Sequence, residues 1–316
     1  MKIAVLDDYA LASPRLADWP ELGDVTVFQD TITGTDLVAR LLPFDVICLM
    51  RERTPMGADL IAQLPNLRLI VTSGPRNASI DLPAARAAGI TVCGTQSRKT
   101  TTSELTTLMM LALNRRLLPE AANLSSGGWQ SGLGRDVAGL TLGLIGLGNI
   151  GAQMAVIGKA LGMDIIAWSP NLTHARCTEL GVARAESLTD LMARADVASV
   201  HMVLSDRSRG LVDAAAFAAA KQGQVFINTS RGALVDTRAL LDGLRAGKPA
   251  MAGLDVFDVE PLPLDDPLRD ADLIASGQLL LTPHLGYTTE ATFRLFYTQT
   301  VEAIRAYQAG TPIREL

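Results

Sequence analysis

Thr141-Leu142-Gly143-Leu144-Ile145 followed by Gly146-Leu147-Gly148-Asn149-Ile150-Gly151 is the most informative stretch of this 316-residue chain. The first five residues read as a short apolar strand, and Ile150–Leu161 has helical spacing. A G-x-G-x-x-G turn between a strand and a helix is the setting in which the motif cradles a dinucleotide pyrophosphate. Gly146 permits the tight turn, Gly148 lets backbone approach the phosphates, and Gly151 lets helix and strand pack closely. The helix start, with Asn149 and Ile150, offers N–H groups and the positive end of the helix dipole. Gly146, Gly148, Asn149, Ile150 and Gly151 are therefore expected to bind a dinucleotide.

The alternation of apolar runs and helix-like segments continues outward in both directions. Upstream, Ile3–Leu6, Val25–Phe28, Val46–Met50, Leu69–Thr72 and Thr91–Cys93 read as strands. Thr35–Leu42, Gly57–Leu64 and Asp81–Ala88 between them have helical spacing. Downstream, Asp164–Trp168, Val197–Val200, Val225–Asn228, Met251–Leu254 and Leu279–Leu281 read as strands, with helices at Leu188–Arg194 and Thr237–Ala246. Such alternation implies parallel sheets covered by helices. The expected class is α/β, with two Rossmann-like or flavodoxin-like domains flanking a cleft. A polar break at Thr100–Ser103, with Thr101 and Glu104 spaced as a capping box, puts the boundary near residue 100. A long helix over 288–309 follows the last strand. One domain is thus expected over 100–286 and a discontinuous one over 1–99 plus 287–316.

Bulk properties remove several function classes. The net charge is -5 with acids and bases interspersed, which leaves no basic stripe for nucleic acid and no polybasic membrane anchor. Val137–Gly158 is uncharged and long enough to span a bilayer, but its glycines, Asn149 and Gln153 fit the strand–turn–helix reading better. The N-terminal apolar run is too short for a signal peptide. Cys48, Cys93 and Cys177 have no disulfide or zinc spacing, so no metal is expected and a reducing, cytoplasmic setting is.

Three later segments put ionisable residues at strand ends, where open α/β sheets bind ligands. They are Asn228-Thr229-Ser230-Arg231-Gly232, Leu254-Asp255 continuing to Glu260-Pro261, and Leu281-Thr282-Pro283-His284. With the glycine turn, their order and spacing resemble the D-isomer-specific 2-hydroxyacid dehydrogenase family, most sharply from Trp129 to Gly286. The resemblance implies hydride transfer between NAD or NADP and a small 2-keto or 2-hydroxy acid. It assigns Arg231 to the substrate, Glu260 to the histidine, and His284 to proton transfer. The chemistry fits each role. Arginine's planar fork suits a carboxylate beside a carbonyl, and a histidine can give and take a proton near neutral pH.

The resemblance also places Asp255, Thr229 and Ser230 on the nicotinamide side. It implies a homodimer, with Trp129 in the packing segment, and a substrate-binding role for the discontinuous domain. There the family's glycine turn is matched by Gly74-Pro75-Arg76-Asn77-Ala78-Ser79, so Gly74 and Arg76 join Arg231 as expected substrate contacts. Arg76 stands where a second glycine is usual. Arg51 matches an arginine found in several members, although a surface ion pair would explain it equally. His201, after its strand, matches a family histidine near the cofactor, although a packing role would explain it as well. Ser169, at the tip of the strand after the glycine turn, is expected at the adenosine ribose. No acid stands there, and His174 and Arg176 follow, so both NAD and NADP remain open. A dinucleotide-sensing co-repressor of the same fold is the alternative reading, and Glu260 argues against a formate dehydrogenase.

Overall fold

Runs such as Val46-Ile47-Cys48-Leu49 and Val225-Phe226-Ile227-Asn228 are too short for a stable helix and too apolar to face water. In the computed structural model, which describes residues 1–316, each lies within a parallel sheet with all four residues buried. The chain forms two compact units, Met1–Arg98 with Thr288–Leu316 (unit 1) and Lys99–Tyr287 (unit 2).

Unit 1 holds β1 (Lys2–Val5), β2 (Asp24–Val27), β3 (Val46–Leu49), β4 (Leu69–Thr72) and β5 (Thr91–Gly94). They pair in parallel in the order β2-β1-β3-β4-β5. The helix Glu290–Gln308 belongs to this unit and packs on β4 and β5, burying Phe293, Phe296, Val301 and Ile304.

Unit 2 holds β6 (Thr141–Ile145), β7 (Asp164–Trp168), β8 (Ala183–Arg184), β9 (Val197–Val200), β10 (Val225–Asn228), β11 (Met251–Leu254) and β12 (Leu279–Leu281). Their order is β12-β11-β10-β9-β6-β7-β8, all parallel. Strand order reverses at β6 and β9, and such a switch point opens a crevice at the carboxyl ends of the strands. No helix is long and apolar enough to cross a membrane.

Two local expectations need correction. The helix over Thr101–Asn114 is not opened by a Thr101–Glu104 capping box. Its N-cap is Thr100, already in a right-handed helical conformation and without a side-chain cap. The Ser103 hydroxyl donates instead to the Thr100 carbonyl at 2.7 Å. The two-residue β8 was not anticipated, because two residues carry no periodicity.

The opposite edge of the unit 2 sheet is tied by Asp196. Its Oδ2 accepts the Thr141 N–H at 2.9 Å, and Oδ1 pairs with Lys221 Nζ at 2.6 Å. Its carbonyl accepts from Val225 N at 2.9 Å and Arg135 Nη2 at 3.1 Å, so one residue joins the starts of β6, β9 and β10. Burial pushes its carboxyl up. Lys221, the Thr141 N–H and the field of Arg135 outweigh that and hold it below the ordinary 3.8. A depressed folded-state value stabilises fully above the unfolded value and is lost as pH falls through the folded one. Asp196→Asn should therefore cost about 1.5–3 kcal/mol near neutral pH. In urea unfolding, the gap to wild type should narrow at about pH 3. An equal gap at both pH values would show that the charge contributes nothing.

Candidate active site

The glycine turn is built as its residue types require. Gly146 has φ +106°, and a Cβ there would lie 2.5 Å from the His201 carbonyl oxygen. A Cβ on Gly151 would lie 2.1 Å from the Gly146 carbonyl oxygen, which is the close helix–strand approach expected of that glycine. At Gly148 a Cβ would meet nothing within 4 Å. The turn is thus closed on its protein side and open above Gly148, where the helix Asn149–Ala160 begins. That shape fits a pyrophosphate.

The tip of β7 carries no acid. The Trp168 carbonyl accepts the Gly146 N–H at 2.8 Å, which brings Ser169 beside the turn. On the neighbouring β8, Arg184 Nε donates to the Leu172 carbonyl at 3.2 Å, and its Nη1 lies 3.3 Å from both His174 Nε2 and Glu186 Oε2. Arg176 is paired with Glu179 at 2.8 Å. Both ring nitrogens of His201 are buried without a hydrogen-bond partner, and burial lowers its pKa to about 4. The ring is neutral near pH 7 and is no proton donor.

The ends of β10, β11 and β12 lie side by side, since Asn228 pairs with Leu254 and Leu254 with Leu281. Asn228 shapes the first tip: its Oδ1 accepts the Ser230 N–H at 3.0 Å and its Nδ2 donates to the Arg231 carbonyl at 2.8 Å. The Arg231 Nη1 donates to the Ser230 carbonyl at 2.7 Å. Gly232 lies against the next tip, where a Cβ would be 2.2 Å from the Phe257 carbonyl carbon. The Thr229 hydroxyl is bonded to Thr106 at 2.8 Å and that of Ser230 to the Val200 carbonyl at 2.7 Å. Both hydroxyls are therefore turned into the protein, and what this segment can offer a cofactor is backbone.

Glu260 and His284 meet directly. Glu260 Oε2 lies 2.6 Å from His284 Nδ1, and its Oε1 accepts the Phe257 N–H at 3.0 Å. His284 adopts φ +54°, which few non-glycine residues do. The fully buried carboxylate of Asp255 is bonded to the histidine's loop. Its Oδ1 accepts from Thr282 Oγ1 at 2.6 Å and Leu285 N at 2.7 Å, and its Oδ2 from Gly286 N at 2.8 Å. A left-handed residue followed by two N–H groups inside the protein needs such an acceptor. Burial raises the Asp255 pKa despite these bonds and the nearby His284. Sequence reasoning missed Tyr287, whose ring packs edge-on to His284 with centroids 5.3 Å apart. An aromatic three residues after the histidine was the available signal.

In unit 1, the Gly74–Ser79 loop follows β4. The Gly74 N–H is bonded to Thr95 Oγ1 at 2.7 Å and Pro75 has none, so the N–H groups left to the loop belong to Arg76, Asn77 and Ala78. The Arg76 side chain is exposed. The cation built against the turn is Arg51: a Cβ on Gly74, at φ +97°, would fall 1.7 Å from its Nη1.

Comparison with known proteins gives the same picture. Residues 107–286 match the family model described as D-isomer specific 2-hydroxyacid dehydrogenase, NAD binding domain. The chain is 34% identical over 279 residues to D-3-phosphoglycerate dehydrogenase of Mycobacterium leprae (strain TN), covering 87% of this chain and 51% of that one. It thus spans about half the length of the first such relatives. It is 31% identical to glycerate dehydrogenase of Methylorubrum extorquens, over 98% of this chain and 97% of that one. Among solved structures, phosphoglycerate oxidoreductase from Vibrio cholerae superposes with a TM-score of 0.91 at 36% identity, covering 98% of this chain and 100% of that one. The chain belongs to the D-isomer specific 2-hydroxyacid dehydrogenase family.

Proposed function

We propose that this protein is a dehydrogenase that moves a hydride between NAD or NADP and C2 of a small 2-keto or 2-hydroxy acid. The observation that carries the reading is the 2.6 Å Glu260–His284 contact, at the same sheet edge as the glycine turn. Unit 2 is the dinucleotide-binding part, with Gly146, Gly148, Asn149, Ile150 and Gly151 at the pyrophosphate and Ser169 at the ribose. Unit 1 is the substrate-binding part, with Arg51 and the Gly74–Ser79 loop facing the acid. When bound, the dinucleotide supplies or accepts the hydride.

Arg231 anchors the substrate carboxylate through its fork of donors. As hydride reaches C2, negative charge gathers on the carbonyl oxygen, and His284 delivers a proton there. Because Nδ1 faces Glu260, proton transfer falls to Nε2. Glu260 holds the ring in that orientation and stabilises the imidazolium before it gives up its proton. In the reverse direction the same nitrogen takes the proton of the 2-hydroxyl. The proposed reaction is tested by steady-state assays of glyoxylate, pyruvate and hydroxypyruvate with NADH and NADPH side by side. No turnover on any of them would sink it.

The neutral β7 tip supports weak discrimination between the two dinucleotides. Ser169→Asp should raise the NAD-over-NADP ratio of kcat/KM by about tenfold or more, because a carboxylate there accepts from the ribose hydroxyls and repels a 2′-phosphate. A preference for NAD already above about a thousandfold in the unmodified protein would mean that another group reads the ribose. Homodimerisation is supported by exposed apolar side chains on and after the helix Leu117–Ser125, with Trp129 75% and Leu133 96% exposed. A cytoplasmic setting is supported by three buried free cysteines.

A further inference from the structure

We infer that Asn77 is a positioning residue for the substrate end of the proposed reaction, acting by holding Arg51 over Gly74; this rests on the reading of Arg51 as a substrate-facing cation. Arg51 has φ +56°, a conformation a long side chain adopts only when its surroundings impose it. Three contacts impose it. Its N–H donates to Ser73 Oγ at 2.9 Å, its carbonyl accepts from Asn77 Nδ2 at 2.6 Å, and its Nη1 donates to the Ser73 carbonyl at 3.3 Å.

Asn77 is 6% exposed and spends its whole carboxamide on this junction. The second Nδ2 hydrogen goes to Thr72 Oγ1 at 2.9 Å, while Oδ1 accepts from Ser79 N at 2.9 Å and Ser79 Oγ at 2.6 Å. Two donors and a two-fold acceptor on one short stem are what asparagine supplies. Aspartate lacks the donors, and serine lacks both the reach and the second acceptor. The carboxamide thereby joins the loop after β3, the end of β4 and the Gly74–Ser79 loop. Without it, the Arg51 carbonyl loses this bond, and the backbone can relax to negative φ and swing the guanidinium off the turn. The exposed Arg76 draws the eye in the sequence; the working residue is the amide beside it.

The test is a double-mutant cycle between Arg51→Ala and Asn77→Ala, assayed on the 2-keto acids above, with thermal unfolding measured alongside. Asn77→Ala should raise KM for the keto acid about ten- to a hundredfold, the scale of one lost charge-assisted contact, with KM for the dinucleotide unchanged. The double variant should be no worse than Arg51→Ala alone, because residues acting through one contact are not additive. Asn77→Asp, which keeps the Ser79 bonds and loses the donor to Arg51, should repeat the KM effect and serves if the alanine variant does not fold. Effects that multiply in the cycle, or Asn77 variants with wild-type KM beside an impaired Arg51→Ala, overturn this inference and leave the proposed function standing. A wild type that turns over none of the acids removes both.

Discussion

Replacing His284 with alanine should lower kcat for keto-acid reduction by about a hundredfold or more, the usual contribution of a positioned acid–base group. Hydride addition without a proton donor leaves an alkoxide that only water can neutralise. The imidazole is fixed from three sides: by Glu260 at 2.6 Å, by the ring of Tyr287, and by a backbone that Asp255 holds through Leu285 and Gly286. Little reorganisation is then needed when charge develops. Dinucleotide affinity, read by fluorescence titration of NADH, should stay within about threefold of wild type. A variant that retains more than about a tenth of wild-type kcat would remove His284 from proton transfer.

Arg231→Ala should cut kcat/KM for the keto acid by about a hundred- to a thousandfold, since two parallel charge-assisted hydrogen bonds to a carboxylate are lost together. Arg231→Lys should recover only part of this, because an ammonium is a point charge without the fork. The loop leaves the Arg231 backbone little freedom. Asn228 holds its carbonyl and the Ser230 N–H, and Gly232 abuts the Phe257–Asp258 backbone with no room for a methyl group. KM for the dinucleotide is the control. If it rises as steeply as that for the acid, Arg231 serves the cofactor and the assignment fails.

How much of this was legible in the sequence depended on how local each cause is. The strand at Thr141–Ile145 and the three glycines after it could be read directly, because strand, turn and helix start are contiguous in the chain, and Gly151 must clear Gly146 five residues before it. Strands from β3 to β12, apart from β8, were bounded to within about a residue, since short, mostly apolar runs between polar breaks leave little choice. Glu260 and His284 were assigned through the family resemblance of their segments, which gave no sign of the left-handed histidine. The direction of Asp255 was not legible, because its partners lie in a loop 27 to 31 residues later. Arg51 and Asn77 hid for the same reason: the bond joining them spans 26 residues and two loops.

The hydroxyl of Thr102 donates to the Gly286 carbonyl at 3.2 Å, so the first and last turns of unit 2 touch. Unit 1 is assembled from two pieces separated in the chain by all of unit 2. Closing a floppy connection of about two hundred residues costs about 2–3 kcal/mol more than closing one of about ten. Once unit 2 has folded, its touching ends turn the long connection into a short one. The helix Glu290–Gln308 then reaches β4 and β5 almost as if it followed Arg98. During synthesis the contiguous unit is complete before that helix has been made, so translation itself delivers the pieces in the order that loop entropy favours.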